Sequence, residues 1–144
     1  MLVTQPTDSR SALRVLVYSD DATVRAQVVQ ALGRRPAPEL PVVAVTEVAT
    51  EPLVISTVKA GGVDAIVLDG ESVPAGGLGV CRTLKSEVYQ CPPILVLTGR
   101  EQDRWLASWA RADAVVSHPL DSIAVAHAVA DLLRQRLAGA PAAG

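Results

Sequence analysis

Apolar and polar positions follow two rhythms along this chain, and the two take turns. Arg14-Val-Leu-Val-Tyr18, Ala65-Ile-Val-Leu-Asp69 and Pro92-Pro-Ile-Leu-Val-Leu97 are short, almost unbroken apolar runs, the pattern of strands covered on both faces. Between them apolar residues recur at helical spacing. Val24, Val28, Val29 and Leu32 mark a helix over 22–32 that Gly33 ends. Residues 34–41 hold three prolines and read as a loop. A strand over 42–47 and a helix over 52–60 follow, the latter stopped by Gly61-Gly62. After the strand over 65–68, a glycine-rich loop over 70–77 leads into a helix near 78–89. The fourth strand opens at Pro92. A short helix over 101–111, a short strand over 114–117 and a last helix over 121–137 complete the series, with Asp121 or Ser122 as the final N-cap.

Five strands alternating with five helices predict an α/β fold with a parallel sheet covered on both faces. Right-handed crossovers lead to a single flavodoxin-like (βα)5 domain with a parallel five-stranded sheet of order 2-1-3-4-5. The expected boundaries are a flexible N-terminus over 1–12, the domain over 13–137 and a flexible tail over 138–144. In such a sheet, ligands and chemistry gather beyond the carboxyl ends of the strands. That edge carries Ser19, Asp20, Asp21, Asp69, Glu71, Thr98 and His118. Asp69, which ends an apolar strand and precedes a small-residue loop, is the candidate centre.

Composition narrows the function. A chain of 144 residues suits one domain with a sizeable core, and 49% apolar content is ordinary for a soluble α/β protein. The formal net charge of −2, with no basic stripe, argues against nucleic-acid binding. No apolar run reaches the roughly 20 residues that span a bilayer, and the polar start of the chain lacks a signal peptide's apolar region. A cytoplasmic protein is the expectation. Cys81 and Cys91 form neither a CxxC pair nor a metal-ligand cluster, and read as reduced thiols.

Five segments in order resemble the receiver domain of two-component response regulators, over roughly residues 13–137. They are Val15-Leu-Val-Tyr-Ser-Asp20 with Arg25, Ala65-Ile-Val-Leu-Asp69, Gly76-Gly-Leu-Gly-Val-Cys-Arg-Thr-Leu84, Leu95-Val-Leu-Thr-Gly-Arg100 and Arg111-Ala-Asp-Ala-Val-Val-Ser-His-Pro-Leu-Asp121. The resemblance implies that Asp69 is the phosphoacceptor, and that Mg²⁺ is held by Asp20, Asp69 and the backbone carbonyl of Glu71. It implies further that Thr98 bonds a phosphoryl oxygen and that a cis peptide precedes Pro119. A histidine kinase would be the phosphoryl donor.

Three departures change that picture. Counted without gaps, Ser19 replaces the first acid of the usual pair and Asp20 is the second. A one-residue shift would make Asp20-Asp21 the pair, at the cost of the spacing to Arg25. His118 stands where a permanent lysine cation is usual, and an ordinary histidine, with a pKa of about 6.5, is mostly neutral near neutral pH. Val115 replaces an aromatic residue whose rotation reports activation. Losing one acid and one cation together keeps the site at two negative charges, counting Ser19, Asp20, Asp69 and a neutral His118. His118 is thus either a polar filler paired with Asp69 or a pH sensor. His127, in the last helix, reads as a surface residue.

The main reading is an atypical single-domain receiver, not an enzyme, that signals by protein–protein contact with an impaired switch and a Mg²⁺ site weakened by Ser19. The alternative is a working response regulator phosphorylated on Asp69. A small flavodoxin-like enzyme is the third reading. Against it, Ser19-Asp-Asp-Ala22 is acidic and has no phosphate-cradling glycine. The target surface implied by the resemblance is the fourth helix, fifth strand and fifth helix, open to an unknown protein or a second copy. Trp105 and Trp109, four apart, share one helix face. They pack into the core on one reading, and on the other Trp109 is an exposed anchor. Ile123, Val125, Val129, Leu132 and Leu133 should divide between core and that face.

Overall fold

The parallel strands are laid out so that consecutive residues face opposite layers of helices. In the computed structural model, which describes residues 12–143, β1 (Leu13–Tyr18), β2 (Val43–Val48), β3 (Ala65–Asp69), β4 (Ile94–Thr98) and β5 (Ala114–Ser117) form one parallel sheet in the order β2-β1-β3-β4-β5. Residues 1–11, most of the expected N-terminal segment, lie outside the described part.

Leu13, Val15 and Val17 of β1 point to one side with Ala65, Val67, Leu95 and Leu97. There they meet α1 (Ala22–Leu32) through Val28 and Leu32, and α5 (Ser122–Ala143) through Val125, Val129, Leu132 and Leu133. Leu16 and Tyr18 point to the other side with Ile66, Leu68, Ile94 and Val96. That layer is closed by Val54 and Val58 of α2 (Glu51–Ala60) and by Val80, Cys81 and Leu84 of α3 (Gly77–Glu87). Burying both faces is what made the strands read as continuous apolar runs.

Caps fix the helix starts. Asp21 accepts a hydrogen bond from the Thr23 amide at 2.8 Å, and Asp121 one from the Ile123 amide at 3.0 Å. Most predicted boundaries shift by one or two residues, but the segment after β4 departs further. It is a 3₁₀ turn, Glu101–Asp103, followed by a five-residue helix α4 (Trp105–Trp109), where one helix over 101–111 was expected. Side-chain pairs Arg100–Asp103 and Glu101–Arg104 match the three-residue spacing of that turn. Only Ala107 and Ala110 are buried beneath the segment, too little apolar contact to hold a longer helix. At the other end, α5 continues to Ala143, past the tail boundary expected at Leu137. Four of the six residues there are alanine, the strongest helix former, set against Gly139 and Pro141, the weakest. No helix among the described residues is long and apolar enough to cross a membrane.

Candidate functional site

Strand register sets the site. Tyr18 lies opposite Leu68, so the next residues, Ser19 and Asp69, are neighbours beyond the sheet edge. Asp69 lies opposite Leu97, and Thr98 opposite Ser117, which brings His118 to the same edge. Two glycines let the chain turn tightly here. A Cβ on Gly70 would lie 2.7 Å from the Leu97 carbonyl oxygen, and one on Gly77 would lie 2.7 Å from the Asp69 carbonyl. The start of α3 therefore rests directly on the end of β3.

Asp69 is 2% exposed, and each of its carboxylate oxygens accepts one hydrogen bond from the protein. Its Oδ2 accepts a hydrogen bond from the Ser19 hydroxyl at 2.8 Å, and its Oδ1 accepts one from the Glu71 amide at 2.9 Å. His118 Nε2 lies 3.7 Å from Oδ1, too long for a good hydrogen bond, and this buried nitrogen has no other partner. Ser19 itself is fully buried, and its Oγ also accepts from the Asp21 amide at 3.0 Å. Ser19 faces Asp69, Asp20 lies exposed at the rim of the cleft, and Asp21 caps α1.

Asp69 borders a cleft of about 510 Å³ that Asp20, Asp21, Glu71, Gly99 and His118 also line. The Asp20 amide donates to Ser72 Oγ at 2.9 Å, which fixes the first loop against the loop after β3. Arg25 donates to the Ser19 carbonyl at 2.6 Å and holds that turn from the side. Spacing ties Arg25 to the acidic turn but does not reveal this bond, and it gives no sign of Ser72, whose role depends on a contact between loops. Tyr18 is buried at the end of β1, its hydroxyl donating to the Ala75 carbonyl at 2.5 Å. Burial, with the nearby Asp20 carboxylate next in weight, pushes the Tyr18 phenol above its ordinary pKa.

Thr98 is buried, and its hydroxyl pairs with Ser117 Oγ at 2.9 Å. It is thus turned toward β5, while its carbonyl accepts from the His118 amide at 2.8 Å. The His118–Pro119 peptide is cis. Among the described residues, no three His, Cys, Asp or Glu side chains converge as metal ligands. The side-chain carboxylates lining the cleft are those of Asp20, Asp21, Asp69 and Glu71.

The remaining expectations divide. Cys81 and Cys91 are free thiols, as expected, and burial pushes Cys81 up to about 12. His127 is exposed, and Ile123 is exposed while its four apolar companions in α5 are buried. The core reading of the tryptophans fails: Trp105 and Trp109 are 67% and 50% exposed.

No protein-family model matches the sequence. Two curated Mycobacterium tuberculosis proteins, one from each of two strains and both named response regulatory proteins, are 54% identical over 127 residues. The match covers 88% of this chain and 96% of theirs. Solved structures agree in fold. The chemotaxis response regulator CheY4 of Vibrio cholerae has a TM-score of 0.71 at 17% identity, with 85% of this chain and 99% of that one covered. The receiver domain of a Francisella response regulator has a TM-score of 0.72 at 14% identity, over 85% of this chain and 98% of that one. With its sheet order, the acid at the end of β3 and relatives at this identity and coverage, the chain belongs to the response regulatory proteins and is a receiver domain.

Proposed function

We propose that this receiver is a signalling domain whose phosphorylation switch is impaired and whose output is protein docking in the cytoplasm. The observation that carries the reading is the enclosure of Asp69 by the Ser19 hydroxyl, the Glu71 amide and His118. A phosphoacceptor must present a carboxylate oxygen to the donor, and a hard cation must neutralise the developing charge. Here one oxygen of that carboxylate, Oδ2, accepts the Ser19 hydroxyl proton. Asp20, Asp69 and Glu71 keep the expected donors together at the cleft, so these residues would hold Mg²⁺, but with Ser19 in place of an acid the site has less negative charge to bind it. His118 is shorter than lysine and has no permanent charge to hold a phosphoryl group. Thr98, paired with Ser117, is committed to β5.

The experiment is incubation of the protein with acetyl phosphate and Mg²⁺, followed by intact-mass spectrometry. Little acyl phosphate on Asp69 is expected. Rapid stoichiometric labelling that disappears in Asp69→Ala would establish the alternative, a working response regulator fed by a histidine kinase.

A further inference from the structure

The aromatic residues of this chain are placed the wrong way round for a core. The sequence has two tryptophans, two tyrosines and no phenylalanine, and among these four only Tyr18 is buried. Large aromatic side chains dominate cores and interfaces, so leaving both tryptophans outside forgoes much of the burial available to a small domain. They stand one helical turn apart on α4, whose buried contacts are two alanines, Ala107 and Ala110. The helix is thus held by small residues and presents large ones.

The charges around the tryptophans have a sign. Arg82 of α3 stacks over Trp109, its guanidinium carbon 4.6 Å from the ring centroid, and donates to the Trp109 carbonyl at 2.7 Å. Arg111 donates to Ser86 Oγ of α3 at 3.0 Å. Neighbouring cations have carboxylate partners: Lys85 pairs with Asp113, Arg100 with Asp103, and Arg104 with Glu101. Arg82 and Arg111 have no ion-pair partner among the described residues. Arg111 also takes φ 66°, a conformation that favours glycine, at the residue that places its guanidinium beside α3. Two arginines without carboxylates therefore lie where α4 meets α3, one of them stacked on the exposed Trp109 ring and the other bonded to Ser86.

We propose that this α3–α4 face docks an acidic segment of a partner protein, with an apolar side chain of that segment seated on Trp105 and Trp109 and its carboxylates on Arg82 and Arg111. Tryptophan and arginine are the residues most enriched among interface anchors, and arginine matches a carboxylate with two parallel hydrogen bonds. The inference rests on the reading of this receiver as a docking module, and it names the partner's chemistry. It also moves the surface from the α4–β5–α5 side expected from sequence toward α3.

The probe is a random 12-residue peptide library panned against the full-length protein, with and without acetyl phosphate and Mg²⁺. Both tryptophans of the chain lie on this face, so intrinsic tryptophan fluorescence reports on it alone. Enriched peptides should be acidic with at least one apolar residue, and should shift the emission to shorter wavelength. They should lose about tenfold or more in affinity, roughly 1.4 kcal/mol, against Trp109→Ala and against the charge reversal Arg82→Glu. Enrichment of neutral or basic peptides, binding indifferent to both substitutions, or no enrichment at all would overturn the proposal. A dimer in sedimentation that Trp109→Ala dissolves would overturn it in favour of a second copy. Acidic, tryptophan-dependent binders found only with phosphodonor would support the surface and overturn the phosphorylation-independent reading.

Discussion

The two ends of β4 and its neighbours treat polarity in opposite ways. At the β3 edge, groups that ought to face a ligand are turned inward: Asp69 onto Ser19 and Glu71, Thr98 onto Ser117. At α4, side chains that ought to be buried are turned outward, with Trp105 and Trp109 in solvent over Ala107 and Ala110. On the proposed reading, the fold keeps its architecture while its function moves from reaction to recognition.

The comparison breaks most visibly if the chemistry can be reopened. Ser19→Asp with His118→Lys restores an acid and a permanent cation around Asp69. This double variant should gain Mg²⁺-dependent acyl phosphate in intact-mass spectrometry where the native protein shows little. No gain would mean that the closure resides elsewhere in the loops.

Three smaller effects sharpen it. Gly77→Val drives a side chain into the Asp69 carbonyl, and should lower unfolding free energy in urea by about 1–3 kcal/mol. Ser19→Ala leaves a buried carboxylate oxygen without its hydroxyl donor, and should cost about 1–3 kcal/mol in the same assay, toward the lower end because water can enter from the cleft. Trp109→Ala removes an exposed ring and its stack with Arg82, and should cost about 1 kcal/mol or less. If Trp109→Ala proved more damaging than Ser19→Ala, α4 would be part of the core and the contrast would fail.

The floor beneath α4 has its own test. Cys81 Sγ lies 3.3 Å from the Ala110 carbonyl, and burial raises its pKa from 9.0 to about 12. The folded thiol keeps its proton up to about pH 12 while the unfolded thiol loses it near 9, so the unfolded state binds fewer protons between these values. Stability should therefore fall as pH rises above 9, by up to about 1.4 kcal/mol per pH unit, and Cys81→Ala should flatten that slope.

The fold was legible because its signals are local and repeated. Apolar runs gave the strands, and Gly33, Gly61-Gly62 and Asp121 gave the helix ends. The position of Asp69 was legible for the same reason, since it follows directly from the β3 run. Its condition was not. The bond from Ser19 to Asp69 spans 50 residues of sequence, and it appears only when register aligns Tyr18 with Leu68. The break in the segment over 101–111 was hidden because an alternation of large and small apolar residues does not say which kind faces inward. Here the alanines do, and the tryptophans are left outside.

If the neighbours of Asp69 impair phosphoryl transfer, as we propose, labelling of the native protein shows it. With acetyl phosphate and Mg²⁺, the intact mass should stay at its unmodified value over a time course that labels the Ser19→Asp/His118→Lys variant. Rapid stoichiometric addition of one phosphoryl group to the native chain, abolished by Asp69→Ala, would contradict it.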